Sequence, residues 1–234
     1  MKYHTVGVFL LWSDKDYENI ASTGRMLCIM VITHHGGQCF KVAFGSTTLA
    51  FDPISKKSSL SPVKFGADVA LISMNHPDFN GVAEVTFGTK EPFVIDGPGE
   101  YEVGDVTVRG YGVKTIYDKQ DRYNTIYQVM LEGMNILFLG ALSSAEIDPK
   151  ILSELGDVDI LFIPVGDGEV LGASAASKLA TKFEAHLIIP MHYDKKSLDA
   201  FIKEEGGNGA PLDKLTIKKK DVLMKEGEVV VLTQ

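Results

Sequence analysis

A chain of 234 residues, 45% hydrophobic and 23% charged, buries a full core without staples, and its size suits one domain. Its two cysteines, Cys28 and Cys39, form neither a CxxC pair nor a disulfide framework, which suits a reducing, cytoplasmic compartment. The net charge of -8 argues against a large nucleic-acid surface, and no apolar run reaches the roughly 20 residues of a membrane span.

Residues 1–29 differ in character from the rest of the chain: a short apolar run over 6–12, then a charged, weakly helical stretch over 14–21. Asp14, Asp16 and Glu18 come directly after the apolar run, without a small-x-small cleavage site, so it does not read as a secretion signal. These residues read as an N-terminal arm, and 30–234 as the folded domain.

From Met30 the pattern is that of strands. Residues 31–33 open one, His34-His35-Gly36-Gly37 turns the chain, and 39–44 alternates as a second. Gly45-Ser46 makes a hairpin into 47–51. The apolar segment 67–73 ends at Ser73-Met74-Asn75-His76-Pro77-Asp78-Phe79-Asn80-Gly81, a loop with two metal-ligand types two residues apart. Further strands are predicted at 93–96, 105–109, 125–131 and 136–139, with Gly97-Pro98-Gly99-Glu100-Tyr101 as a turn.

The last third alternates strand and helix. Helices are predicted over 148–155, 173–183 and 198–205, with strands at 160–163 and 187–189 and two short strands within 215–231. Lys218-Lys219-Lys220 reads as a solvated turn. Four buried strands end at 73–76, 140–141, 164–167 and 191–194, and sites in α/β sheets gather where such ends meet.

The order of these pieces resembles the metallo-β-lactamase fold, and within it small zinc-dependent hydrolases similar to L-ascorbate-6-phosphate lactonase. The resemblance runs from about Val31 to the C-terminus. It rests on 32–40, Leu49-Ala50-Phe51-Asp52-Pro53, the loop 73–81, Gly97-Pro98-Gly99-Glu100, 136–140 and Ile189-Pro190-Met191-His192-Tyr193. It implies a four-layer αβ/βα sandwich in the α/β (α+β) class, with the site at one edge between two sheets. The family's loop is Thr/Ser-His-x-His-x-Asp-His. Ser73, His76 and Asp78 match it; Met74 and Phe79 stand where its outer His residues fall. The later family His falls at Tyr117, the bridging Asp at Ala141, and the final His is kept as His192.

A dinuclear site needs ligands for two ions and a bridging carboxylate, so that a shared hydroxide forms near neutral pH. Methionine is a poor zinc ligand, and phenylalanine and alanine are none. The resemblance therefore implies a degraded dinuclear site. His76, Asp78 and His192 remain as two histidines and a carboxylate for one zinc or iron ion, with Asp78 as the catalytic carboxylate and Asp118, Tyr117 or Asn80 completing the shell. The alternative is no metal, with the same residues hydrogen-bonded as remnants. Asp52 would support the ligands from behind by resemblance, or cap its own turn by local chemistry. Adjacent His34 and His35 point to opposite faces of a strand, so at most one faces the site. Ser73, Ser143 and Ser144 lack triad spacing, and no G-x-S-x-G elbow is present.

Three functions remain. The first is a catalytically impaired or inactive, non-hydrolytic member of the fold that serves as a binding or structural protein; a small-molecule substrate or ligand is expected if the chain is active. The second is a single-metal hydrolase of a lactone, ester, β-lactam or phosphoester. The third, disfavoured by charge, is a nuclease. The oligomeric state stays open between a monomer and a homo-oligomer.

Overall fold

The computed structural model describes residues 29–166, 168–207 and 210–234. The arm expected over 1–29 therefore lies outside the described residues except for Ile29, as does Asp167 of the third strand exit. None of the helices among the described residues is long and apolar enough to cross a membrane.

The first sheet is built from β1 (Met30–His34), β2 (Phe40–Phe44), β3 (Thr47–Phe51), β4 (Val69–Leu71), β5 (Phe93–Ile95) and β12 (Leu215–Ile217), in the order β12-β1-β2-β3-β4-β5. The second contains β6 (Gly99–Val103), β7 (Val106–Tyr117), β8 (Gln120–Leu131), β9 (Met134–Phe138), β10 (Ile160–Pro164), β11 (Leu187–Met191) and β13 (Glu228–Val229), in the order β13-β11-β10-β9-β8-β7-β6. Antiparallel hairpins join β1 to β2, β2 to β3, β6 to β7, β7 to β8 and β8 to β9, whereas β3-β4-β5 and β9-β10-β11-β13 run parallel.

Strands β1 and β2 alternate buried and half-buried residues, as a sheet covered fully on one face requires. Their buried sides meet the second sheet in a core of large side chains that includes Met30, Phe40, Phe51, Tyr127, Phe138 and Phe162. Each such side chain contributes about 1.5–3 kcal/mol by leaving water. Helices α1 (Pro149–Leu155), α2 (Ala173–Phe183) and α3 (Lys195–Glu205) cover the outside of the second sheet, where β9 to β11 are buried on both faces. Outside the first sheet, the covering layer among the described residues is the chain around Ile54, Val63 and Ala67 with a 3-10 turn over Val82–Val85. A four-residue helix, α4 (Lys219–Val222), inserts Val222 into the core between the sheets.

Several elements differ from the sequence expectation. Of the residues 97–101 read as a turn, 99–101 belong to β6, and the strands read as 105–109 and 125–131 are parts of a 12-residue hairpin pair reaching Tyr117 and Gln120. Gly110 and Gly112 hide the continuation because glycine weakens the strand pattern. A Cβ at Gly110 would lie 2.8 Å from the Gly97 carbonyl oxygen, so close packing beneath the strand explains that glycine.

The long hairpin also ties the sheets together at one edge. The Tyr127 hydroxyl donates to the Ile72 and Ile95 carbonyls at 2.8 and 3.1 Å, and the Thr125 N–H donates to the Ser73 carbonyl at 2.8 Å. The exits of β4, β9 and β11 and the tip of the hairpin converge there.

Candidate functional site

Each candidate side chain is held by a local backbone device. Asp52 leaves β3 with φ of 41°, completely buried, and takes the Ser73 N–H on Oδ1 at 2.7 Å and the Ser73 hydroxyl on Oδ2 at 2.6 Å. The carboxyl thus fixes the first residue of the loop 73–81. Burial, outweighing the two Ser73 donors, raises its pKa to about 8. Gly140, at φ of 59°, leaves β9 against Asn124, whose Oδ1 accepts the Ala141 N–H at 2.8 Å. His192 leaves β11 at φ of 51°, and its N–H donates to the Gly37 carbonyl at 2.8 Å. Gly166 lets the neighbouring exit pass close by; a Cβ there would stand 2.3 Å from the His192 carbonyl oxygen.

Four residues that the resemblance singles out pack together. Met74, Phe79, Tyr117 and Ala141 form one buried apolar cluster with Val170. Phe79 and Ala141 are wholly buried. The Phe79 and Tyr117 ring centroids are 5.0 Å apart.

The three expected donors lie around the cluster. His76 and His192 meet the Tyr117 ring edge-to-face, with centroids 5.1 and 5.7 Å away. Phe79 approaches the same two imidazoles at 5.8 and 6.3 Å. The Tyr117 hydroxyl donates to Asp78 Oδ2 at 2.9 Å, and the Ser58 hydroxyl donates to Asp78 Oδ1. The Asp78 N–H reaches His76 Nδ1 at 3.3 Å. Burial and then Asp78 raise the Tyr117 phenol above its ordinary pKa, so it stays a donor.

Burial lowers the pKa of His192 to about 4, against the smaller raising effect of Asp78. The Gln38 amide nitrogen lies 3.2 Å from His192 Nδ1. The two side chains are thus hydrogen-bonded, and the imidazole tautomer sets which of them donates. Gln38 is itself wholly buried, and its Oε1 has no hydrogen-bond partner among the described residues.

Asp118 is exposed at the hairpin turn, with φ of 51°. Asn80 donates to Asn75 Oδ1 at 2.8 Å. His34 is buried, stacked on Phe40, with Nδ1 3.4 Å from the Leu232 carbonyl; His35 stacks on Phe65. Sequence reasoning missed Ser58 and Gln38. Gln38 had one available signal, a polar residue between a Gly-Gly turn and a buried strand; Ser58 had none in its exposed serine-rich surroundings.

This arrangement does not fit a metal ion. Both Asp78 oxygens accept hydroxyl hydrogens, and the Tyr117 ring lies against both imidazoles. No three His, Cys, Asp or Glu side chains among the described residues gather closely enough to hold an ion. The geometry supports a closed, hydrogen-bonded aromatic centre with one carboxylate and two imidazoles around it.

The model of the Beta-lactamase superfamily domain matches residues 31–192. A metal-dependent hydrolase of Listeria innocua is 28% identical over 196 residues, covering 70% of this chain and 86% of the relative. One of Bacillus licheniformis is 27% identical over 195 residues, covering 70% and 85%. The crystal structure described as a putative zinc-dependent hydrolase of the metallo-β-lactamase superfamily from Thermotoga maritima superposes with a TM-score of 0.68 at 29% identity, covering 87% of this chain and 98% of that one. The two-sheet sandwich and these matches agree: the chain belongs to the β-lactamase superfamily, with the metallo-β-lactamase fold.

Proposed function

We propose that this chain keeps the fold of a metal-dependent hydrolase without its dinuclear metal centre, and works as a non-hydrolytic or catalytically impaired member that binds a small molecule. One observation carries the reading: Met74, Phe79, Tyr117 and Ala141 fill one buried apolar cluster. Zinc and iron centres are built from nitrogen, sulfur and oxygen donors, and a shared hydroxide needs two ions and a bridging carboxylate. An apolar cluster supplies neither.

Metal analysis of the protein purified without chelator, followed by a panel of lactone, ester, β-lactam and phosphoester substrates, tests this. The expected result is less than about one zinc or iron per chain and no turnover above the solvent rate. Two tightly held ions would overturn the reading.

A second reading is a hydrolase that uses one ion at His76, Asp78 and His192, with Asp78 as the reacting carboxylate. It is favoured by the neutral state of His192, the form in which imidazole binds metals. It predicts that His192→Ala loses metal and turnover together; turnover unchanged in that variant would rule it out. A nuclease, the third reading, requires cleavage of RNA or DNA that EDTA abolishes.

A further inference from the structure

Three side chains retain ligand chemistry, and Tyr117 contacts all of them. Its ring meets His76 and His192 edge-to-face at 5.1 and 5.7 Å, and its hydroxyl donates to Asp78 at 2.9 Å. The donors themselves come from firmly fixed backbone. His192 is held by its N–H bond to Gly37 and by the close passage of Gly166. The loop carrying His76 and Asp78 is fixed at Ser73 by the buried Asp52 carboxyl.

Tyr117 is held differently. It is the last residue of β7, paired with Gln120 across a turn in which Asp118 and Lys119 both have positive φ and are exposed. Its neighbour Ile116 is 55% exposed. The phenol is therefore a buried side chain delivered from the exposed tip of a long hairpin into a centre whose other members sit on strand exits.

We propose that the Tyr117 phenol is an intramolecular occupant of the position a divalent cation would take, and that this plug, rather than the backbone, keeps His76, Asp78 and His192 from serving one ion. The inference rests on the reading that the wild-type centre holds no tight metal. With the plug gone, the site is two imidazoles and one carboxylate with open positions, suited to a borderline ion such as zinc or cobalt(II). Removing only the hydroxyl does not suffice, because the ring still occupies the space.

Cobalt(II) is titrated into the chelator-stripped full chain of the wild type, Tyr117→Ala, Tyr117→Phe and the double variant Tyr117→Ala/Asp78→Ala. Visible ligand-field absorption and bound-metal analysis are the readouts. Wild type and Tyr117→Phe are expected to stay colourless, Tyr117→Ala to take up about one ion per chain with ligand-field bands, and the double variant to lose them. If Tyr117→Ala does not melt cooperatively, Tyr117→Leu, which keeps apolar contact in less volume, is judged by the same standard. A folded variant lacking the plug that binds no cobalt overturns the inference and leaves the proposed function standing. Equal uptake by Tyr117→Phe and Tyr117→Ala overturns it too, by making the hydroxyl the block. Tight uptake of one ion by the wild type overturns the inference, and tight uptake of two overturns the proposed function as well.

Discussion

Ser73 gives both its N–H and its hydroxyl to the Asp52 carboxyl, at 2.7 and 2.6 Å, in a place with no exposure to solvent. Two donors favour the ion, but burial wins and raises the pKa from 3.8 to about 8. Between those values the folded state holds a proton that the unfolded state releases. Asp52 therefore contributes most stability below about pH 4, and that contribution falls by up to about 1.4 kcal/mol per pH unit until about pH 8. Asp52→Asn should remove this slope and, above pH 7, be more stable than the wild type. Urea unfolding between pH 5 and 8 measures both; an unchanged slope would refute the assignment.

His192 works in the opposite sense. Its folded pKa of about 4 lies below its ordinary 6.5, so the unfolded state binds the extra proton between those values. Its contribution is complete above about pH 6.5 and is lost as pH falls toward 4. The two opposing slopes nearly cancel over that window, leaving the fall due to Asp52 at higher pH. Proton NMR should show no titration of the His192 ring between pH 5 and 8, and His192→Gln should make the protein's stability decline steadily from about pH 4 upward. A His192 midpoint near 6.5 would contradict the burial argument.

Phe79 is wholly buried against Tyr117, Met74 and Val170. Phe79→Ala should lower unfolding free energy by about 3–5 kcal/mol, the sum of lost transfer and cavity terms. Phe79→His, close in shape but polar, should also destabilise in metal-free buffer. Chemical denaturation of both, with and without zinc, measures the effects, and zinc rescue of Phe79→His alone would identify the new imidazole as a ligand.

Gly140→Ala should be among the more damaging single changes at the site. The added Cβ would fall 2.3 Å from Asn124 Oδ1 and 2.7 Å from Ser73 Cβ, at a positive φ. The expected loss, read by urea unfolding, is roughly 2–4 kcal/mol. Replacing Asn124 with Ala in the same chain should not restore stability, because the Ser73 clash and the backbone strain remain.

The strand exits were legible because apolar runs ending at turns have a local signature. Met74, Phe79, Tyr117 and Ala141 were singled out by the resemblance to the metallo-β-lactamase fold, and they pack in one cluster. The contacts around them were not legible. The Ser58–Asp78 bond spans 20 residues, and the Gln38–His192 contact spans 154, so neither has a periodicity to reveal it. The hairpin was cut short for a different reason: a glycine required by close packing, as at Gly110, looks in sequence like an interruption. Helix α3 begins three residues ahead of its apolar pattern because Asp194 and Ser197 form a reciprocal cap, a polar signal that hydrophobic spacing does not register.

The pairing of β1 with β12 sets a constraint on synthesis. Met30 faces Ile217 and Ile32 faces Leu215, so one side of β1 is closed by residues far later in the chain. During translation, β1 leaves the ribosome with an open edge and is covered only once residues 215–217 have followed it. Such long-range closure slows folding and leaves an unpaired strand available to other nascent chains. Truncation shortly before Leu215 should therefore leave a chain that aggregates through its first strand even though the second sheet retains most of its strands.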